Sequence, residues 1–232
     1  MFKLFGYTLF GLTLFVFISV FLFIAINNKP LPKGKQGDQA DQLAKEMLKS
    51  LSYESYTNTE YLEWTFRGTH QYQWFKNQGR CNVLWNNIKV ELDLVKNERS
   101  IIFLDETEYT GPEKMSLINK AVYYFNNDSF WLVAPYKVFD AGTERRLVEI
   151  ENENNALLIT YTKGGNTPGD SYLWHLNNEA IPKSFEMWVQ KFPLGGIPAT
   201  WEKWITTSSG AKLPQLHKIW FYELGMGSVQ GL

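Results

Sequence analysis

Residues Leu4 to Asn28, "LFGYTLFGLTLFVFISVFLFIAINN", carry no charge, and this run constrains the chain more than any other. Lys3 and Lys29 bracket it. A helix rises about 1.5 Å per residue, so roughly 20 residues cross the hydrocarbon core of a bilayer. The run predicts one N-terminal transmembrane helix over residues 1–28, separate from any water-soluble core. It is longer than the apolar region of an ordinary signal peptide, and "IAINNKP" offers only Ala25, with Asn27 two residues on, where small-x-small is needed for cleavage. No cysteine stands near it, which argues against a lipoprotein signal. The expectation is an uncleaved signal anchor that makes the membrane an integral, single-span partner.

The flanking charges pull two ways. Lys29, Lys33 and Lys35 follow the run and only Lys3 precedes it, which by charge counting puts the C-terminal side in the cytoplasm. A short tail before a single anchor usually stays inside, however, and long domains translocate largely regardless of charge. We expect an inner-membrane protein with its globular domain exported to the periplasm. The formal net charge of -1 implies no nucleic-acid partner. Cys81 is alone, so no intrachain disulfide reports the compartment, and a packed thiol is expected.

After the anchor, "NNKPLPKGKQGD" has the prolines and glycines of a semi-flexible linker, residues 29–38. The domain then occupies residues 39–232. Leu43, Met47, Leu48 and Leu51 fall on one side of a helical period, with Asp38 or Asp41 as its cap. From Thr59 the period becomes two. Leu62, Trp64, Phe66, His70, Tyr72 and Trp74 share one parity, while Glu63, Thr65, Arg67, Thr69, Gln71 and Gln73 share the other. This predicts a strand with one ring-rich face and a bend or bulge at Gly68. "CNVLW" and "IKVELDL" follow, joined by a tight hairpin at Asn86-Asn87, and "RSIIFLD" is a further strand. Pro112 and Glu113 open a helix carrying Met115, Ile118, Val122 and Phe125 at spacings of three and four. Six more strands run from "RRLVEIE" to "QLHKIWFYE", parted by turns that include Glu153-Asn154-Asn155 and "GGNTPGD". The fold class is α+β, mainly β: a curved antiparallel sheet of about ten strands with helices packed on its concave face.

Chemistry-bearing motifs are sparse. His70, His175 and His217 stand far apart, each in an expected strand, with no second ligand at a metal-binding offset, so no metal is expected. No nucleophile elbow and no phosphate-cradling glycine loop is present, and no cofactor is implied. Glu149, Glu151 and Glu153 read as a solvated strand edge. The domain is expected not to be an enzyme; catalysis would need one of the histidines within reach of a carboxylate or of Cys81. What remains is the rings: aromatic residues make up 16% of the chain, too many for a thin core. They serve either sheet-to-helix packing or the wall of an apolar cavity.

The order of elements, together with "TFRGTHQYQW", "VLWNNIKVEL", "FWLVAPYK" and "DSYLWHLNNEAIPKSFEMWVQ", resembles the LolA-like superfamily of lipoprotein carriers. The resemblance spans residues 39 to about 222. It implies an incomplete barrel closed by helices over an acyl-chain cavity, and an acyl chain, lipid or lipoprotein as ligand. In that reading Trp64, Phe66, Tyr72, Trp74 and Trp85 supply wall area, and Arg67 meets a headgroup if the bend at Gly68 turns it to the cavity mouth. The alternative is an assembly factor of the cell envelope with a dry core. Its mark would be an exposed indole in "WEKWITT", because Trp201 and Trp204 have opposite parity.

Overall fold

The computed structural model describes residues 2–151, 154–164 and 166–232. The expected turns at Glu153 and Gly165, and Glu153 as an edge residue, lie outside them. The chain runs α1 (Phe2–Asn27), α2 (Asp38–Ser50), α3 (Tyr53–Asn58), β1 (Tyr61–Phe66), β2 (His70–Phe75), β3 (Arg80–Trp85), β4 (Ile88–Asp93), β5 (Ile101–Leu104) and β6 (Thr107–Glu108). Then come α4 (Lys114–Val133), β7 (Thr143–Val148), β8 (Ala156–Tyr161), β9 (Ser171–Leu176), β10 (Pro182–Trp188), β11 (Gly195–Thr200), β12 (Glu202–Thr206), β13 (Lys212–Ile219), β14 (Tyr222–Gly225) and β15 (Gln230–Gly231). The domain is mainly β and antiparallel throughout.

The single sheet expected from the sequence is divided into three: β15-β1-β2-β3-β4-β5-β6, β11-β10-β9-β8-β7 and β12-β13-β14. Backbone bonds stitch the first and third, since Thr65 N donates to Met226 O (3.1 Å) and Arg67 N to Gly225 O (2.9 Å). β11 leads directly into β12 through Trp201, whose N–H reaches Lys183 O (2.9 Å). The three sheets thus form one open arch with β6 and β7 as its free ends. The division reflects twist: a broad antiparallel array bends more cheaply at bulges and strand switches than by uniform curvature.

Helices fill the arch. α4 buries Ile118, Ala121, Phe125, Asp128, Ser129, Leu132 and Val133, one continuous stripe of the helical period, and packs on β3, β4, β5 and β13. It runs eight residues past the expected end at Phe125, because "NNDSFWLV" continues the stripe and Pro135 stops it. α2 buries Ala40, Ala44, Met47 and Leu48 against β7 and β8. Neither Asp38 nor Asp41 caps α2; Gly37 occupies that position, and Asp41 instead accepts from Arg145 Nε at 2.6 Å.

Two expected strands turn out to be hairpins. The 59–74 segment folds back at Arg67, Gly68 and Thr69, with φ of 54° and 68° at the first two. Trp64 pairs with Tyr72, Phe66 with His70 and Leu62 with Trp74, so the shared parity survives. A three-residue loop keeps even numbers opposite even numbers, and all six side chains stay on the inner face. "QLHKIWFYE" likewise divides into β13 and β14 around Trp220-Phe221. The Asn86-Asn87 hairpin forms as expected, with Asn86 at φ 51°.

The stretch read as a semi-flexible linker is held in place. Lys35 and Leu147 exchange two backbone bonds of 2.8 Å, which extends the sheet past β7. Gly34 lets the chain lie this close, since a Cβ there would stand 2.6 Å from Arg146 Cβ. Further back, Lys29 N donates to Gly195 O (3.1 Å), Gly195 N to Asn28 Oδ1 (2.8 Å) and Trp188 Nε1 to Lys29 O (2.8 Å). Prolines and glycines suppress regular structure, but they leave carbonyls and N–H groups free to pair with an edge. α1 itself is apolar all round; its segment Phe10–Asn27 is long and apolar enough to cross a membrane.

Candidate functional site

The ring-rich face divides into a packed part and a lining part. α4 covers the packed part. Trp64 and Tyr72 stack at 4.5 Å between ring centres, and Phe125 lies 6.4 and 6.5 Å from them. Trp85 meets Tyr124 edge-on at 5.5 Å, and Phe66 is buried beside His70. Trp64, Phe66, Tyr72 and Trp85 are therefore core residues. Arg67 occupies the hairpin turn, outside the arch, with its guanidinium 5.2 Å from the centre of the Tyr222 ring. Of the six side chains singled out in the sequence, Trp74 is the one that reaches an open space.

That space lies between α4 and the β7–β10 sheet and measures about 440 Å³. Trp74, Phe125, Phe130, Trp131, Tyr161, Tyr172, Met187 and Val189 make its apolar walls. Lys137, Lys163 and Lys191 line it as well, and so do Asp140, Asp170 and Asn166. The arch explains its existence: α4 is wide enough to fill one limb but stands off the other. Phe130 bridges the gap, with Tyr172 at 4.5 Å and Tyr161 at 6.0 Å. Burial and the nearby Asp140 push the Tyr161 hydroxyl up, and burial and Asp170 do the same for Tyr172, so both rings stay neutral. Asp170 is itself saturated, accepting from Thr167, from Gln190 N (2.9 Å) and from Tyr172 (3.4 Å). A second, shallow concavity of about 360 Å³ beside Tyr61, Phe75 and Leu232 opens to solvent and has no comparable wall.

A polar cluster lies within the packed limb. Asp128, on the buried stripe of α4, accepts from Tyr72 Oη at 2.5 Å and stands 2.7 Å from His70 Nδ1; Asn127 Nδ2 donates to its other oxygen at 2.8 Å. His70 stacks on Tyr124 at 4.0 Å. Sequence reasoning passed over Asp128, although Met115, Ile118, Val122 and Phe125 project the stripe onto residue 128 or 129. An acid on an apolar stripe was the available signal. The histidine thus meets the carboxylate condition set for catalysis. Cys81 is wholly buried, and burial pushes its thiol up, away from the thiolate form that attacks. Among the described residues no group of three or more His, Cys, Asp or Glu is placed to hold a metal ion.

His217 is buried between Trp131 (5.3 Å) and Trp201 (4.7 Å), and its Nδ1 lies 2.8 Å from Thr200 O. Desolvation lowers its pKa to about 4. His175 stands on β9, apart from both of the other histidines in the pairing order. The two indoles of "WEKWITT" both face inward. Trp201 lies at the corner between β11 and β12, ahead of a β12 that keeps unbroken register with β13 through Lys203 (φ 52°); Trp201 is buried and stacks on Trp204 at 5.8 Å, while Trp204 Nε1 donates to Pro182 O at 3.0 Å. The exposed indole that would mark a protein-docking face is not at this place.

No family model and no curated protein matches the chain. Among solved structures, a DUF1329 family protein from Desulfovibrio piger is similar to it at 8% identity and a TM-score of 0.44, covering 84% of this chain and 94% of that one.

Proposed function

We propose that the chain is a membrane-anchored, extracytoplasmic module that binds an acyl chain, a lipid or the lipid part of a lipoprotein, in the manner of LolA-like carriers. The observation that carries the reading is the ring-walled space of about 440 Å³ in the open limb of the arch. Small-molecule sites occupy about 300–1,000 Å³ and combine apolar walls with a few polar groups. Each methylene withdrawn from water into such walls contributes about 0.8 kcal/mol. Lys137, Lys163 and Lys191 supply cations for an acidic headgroup. Lys191 and Phe192, which also line the space, stand only four and three residues before Gly195, the residue bonded to Lys29 at the end of α1. Three residues span at most about 10 Å, so this rim lies next to the membrane exit of the anchor. The domain would load from the bilayer that holds it, on the periplasmic face of the inner membrane.

Binding is preferred to catalysis. His70, Asp128 and Tyr72 satisfy one another under α4, in the packed limb, and the thiol of Cys81 is buried. The test is photocross-linking of the full chain in lipid nanodiscs with a diazirine fatty acid. Adducts are expected on Trp74, Phe130, Tyr172 or Met187, and Val189→Trp, which fills the space from a half-buried wall position, should remove them while leaving adducts on α1. Adducts confined to α1 in the parent chain would refute the reading.

A further inference from the structure

The β13–β14 turn is built from residues that do not suit a turn in water. A two-residue hairpin favours Asn, Asp or Gly. This one uses Trp220 and Phe221, with Ile219 paired to Tyr222 across it. Trp220 adopts φ 52°, a region that bulky side chains rarely enter. Phe221 is 96% exposed, Trp220 50% and Tyr222 42%. Three consecutive rings therefore project from the domain.

They project beside the anchor. Trp220 meets Phe23 edge-on, with ring centres 5.9 Å apart. Phe23 lies four residues before the end of α1 at Asn27, about 6 Å back along the axis. The turn thus reaches past the helix end, toward the middle of the bilayer, by about one helical turn. α1, with its 26 residues from Phe2 to Asn27, is about 39 Å long and so exceeds the roughly 30 Å hydrocarbon thickness. Its last turn is consequently interfacial, the zone where Trp and Tyr are enriched. The charges beside the turn suit an interface as well: Arg67 lies 5.2 Å from the centre of the Tyr222 ring, Glu223 is 3.8 Å from Lys218, and Lys218 also pairs with Glu202 at 3.2 Å.

We infer that the Trp220-Phe221-Tyr222 turn is inserted in the lipid interface where α1 leaves the bilayer, giving the domain a second membrane contact. With the Asn28–Lys29 attachment to Gly195, this makes two points of fixation and sets the orientation of the arch to the membrane. The inference rests on α1 spanning the bilayer, as the proposed function does.

The test uses the full chain with Phe221→Cys, carrying an environment-sensitive fluorophore, in nanodiscs of phosphatidylcholine and phosphatidylglycerol. Cys81 is wholly buried, so native labelling is confined to the new thiol, and the parent chain checks this. Val95→Cys, at a 79% exposed apolar residue beyond β4, is the reference. A nitroxide on the lipid headgroup should quench the probe at 221 by about twofold or more, as an interfacial position requires, and leave that at 95 nearly unchanged. Iodide in the buffer should do the reverse. An iodide-accessible, lipid-unquenched probe at 221 would overturn the inference. So would a blue-shifted probe that lipid nitroxide does not touch and that responds to protein concentration, since a second copy would then cover the turn. Alkaline carbonate extraction tests the anchor separately: a chain that stays in the membrane while its probe at 221 remains aqueous refutes the turn alone.

Discussion

His217 is the residue whose chemistry most depends on its burial. The ordinary imidazole pKa is about 6.5, and here desolvation lowers it to about 4. The folded state therefore resists a proton that the unfolded chain accepts. Stability from this site is complete above pH 6.5 and is lost as pH falls from 6.5 toward 4, a loss of about 3 kcal/mol over the window. His217→Gln keeps an amide near Thr200 O and removes the titration. Urea midpoints measured from pH 7.5 to 4 should fall more steeply for the parent than for the variant. Parallel curves would sink the idea. In the sequence His217 was one of three histidines in strands. Nothing local distinguished it, because its burial comes from Trp131 and Trp201, 86 and 16 residues away.

At the scale of elements, α4 and the β1–β2 hairpin form the packed limb, and Asp128 is the polar tie between them. Removing the carboxylate strands Tyr72 Oη, and His70 with it, in an apolar setting. Asp128→Ala should cost about 2–4 kcal/mol, read as a lower denaturant midpoint at unchanged slope. Tyr72→Phe should add much less to Asp128→Ala than it costs alone, since its partner is already gone. Full additivity would show that the tie carries no energy. The helical stripe and the alternating rings of these elements were legible from periodicity. The reversal at Gly68 was not, because a continuous, bent strand and a three-residue turn leave the same parity in a sequence. The second missed reversal, at Trp220-Phe221, had no turn residue to announce it.

At the scale of the molecule, the attachment of Lys29 to Gly195 joins α1 to the domain. Gly195 has no room for a side chain: a Cβ would stand 2.4 Å from Trp188 Cδ1 and 2.8 Å from Lys29 O. Gly195→Val should release the 29–35 segment, and trypsin should then cut at Lys33 or Lys35 several times faster while the domain's melting changes little. Equal cleavage would mean that the attachment does not hold the segment. The membrane-length helix, the β-rich class and the two helical stripes could be read before any folding, since each follows from local spacing and from the water-hating character of single runs. The split of the sheet into an arch, the burial of most of the ring face, the opening of Trp74 onto a cavity walled largely by other rings, and the pinning of residues 29–35 arise only on folding. Those outcomes depend on which distant surfaces meet, and burial is a property of the meeting rather than of either stretch.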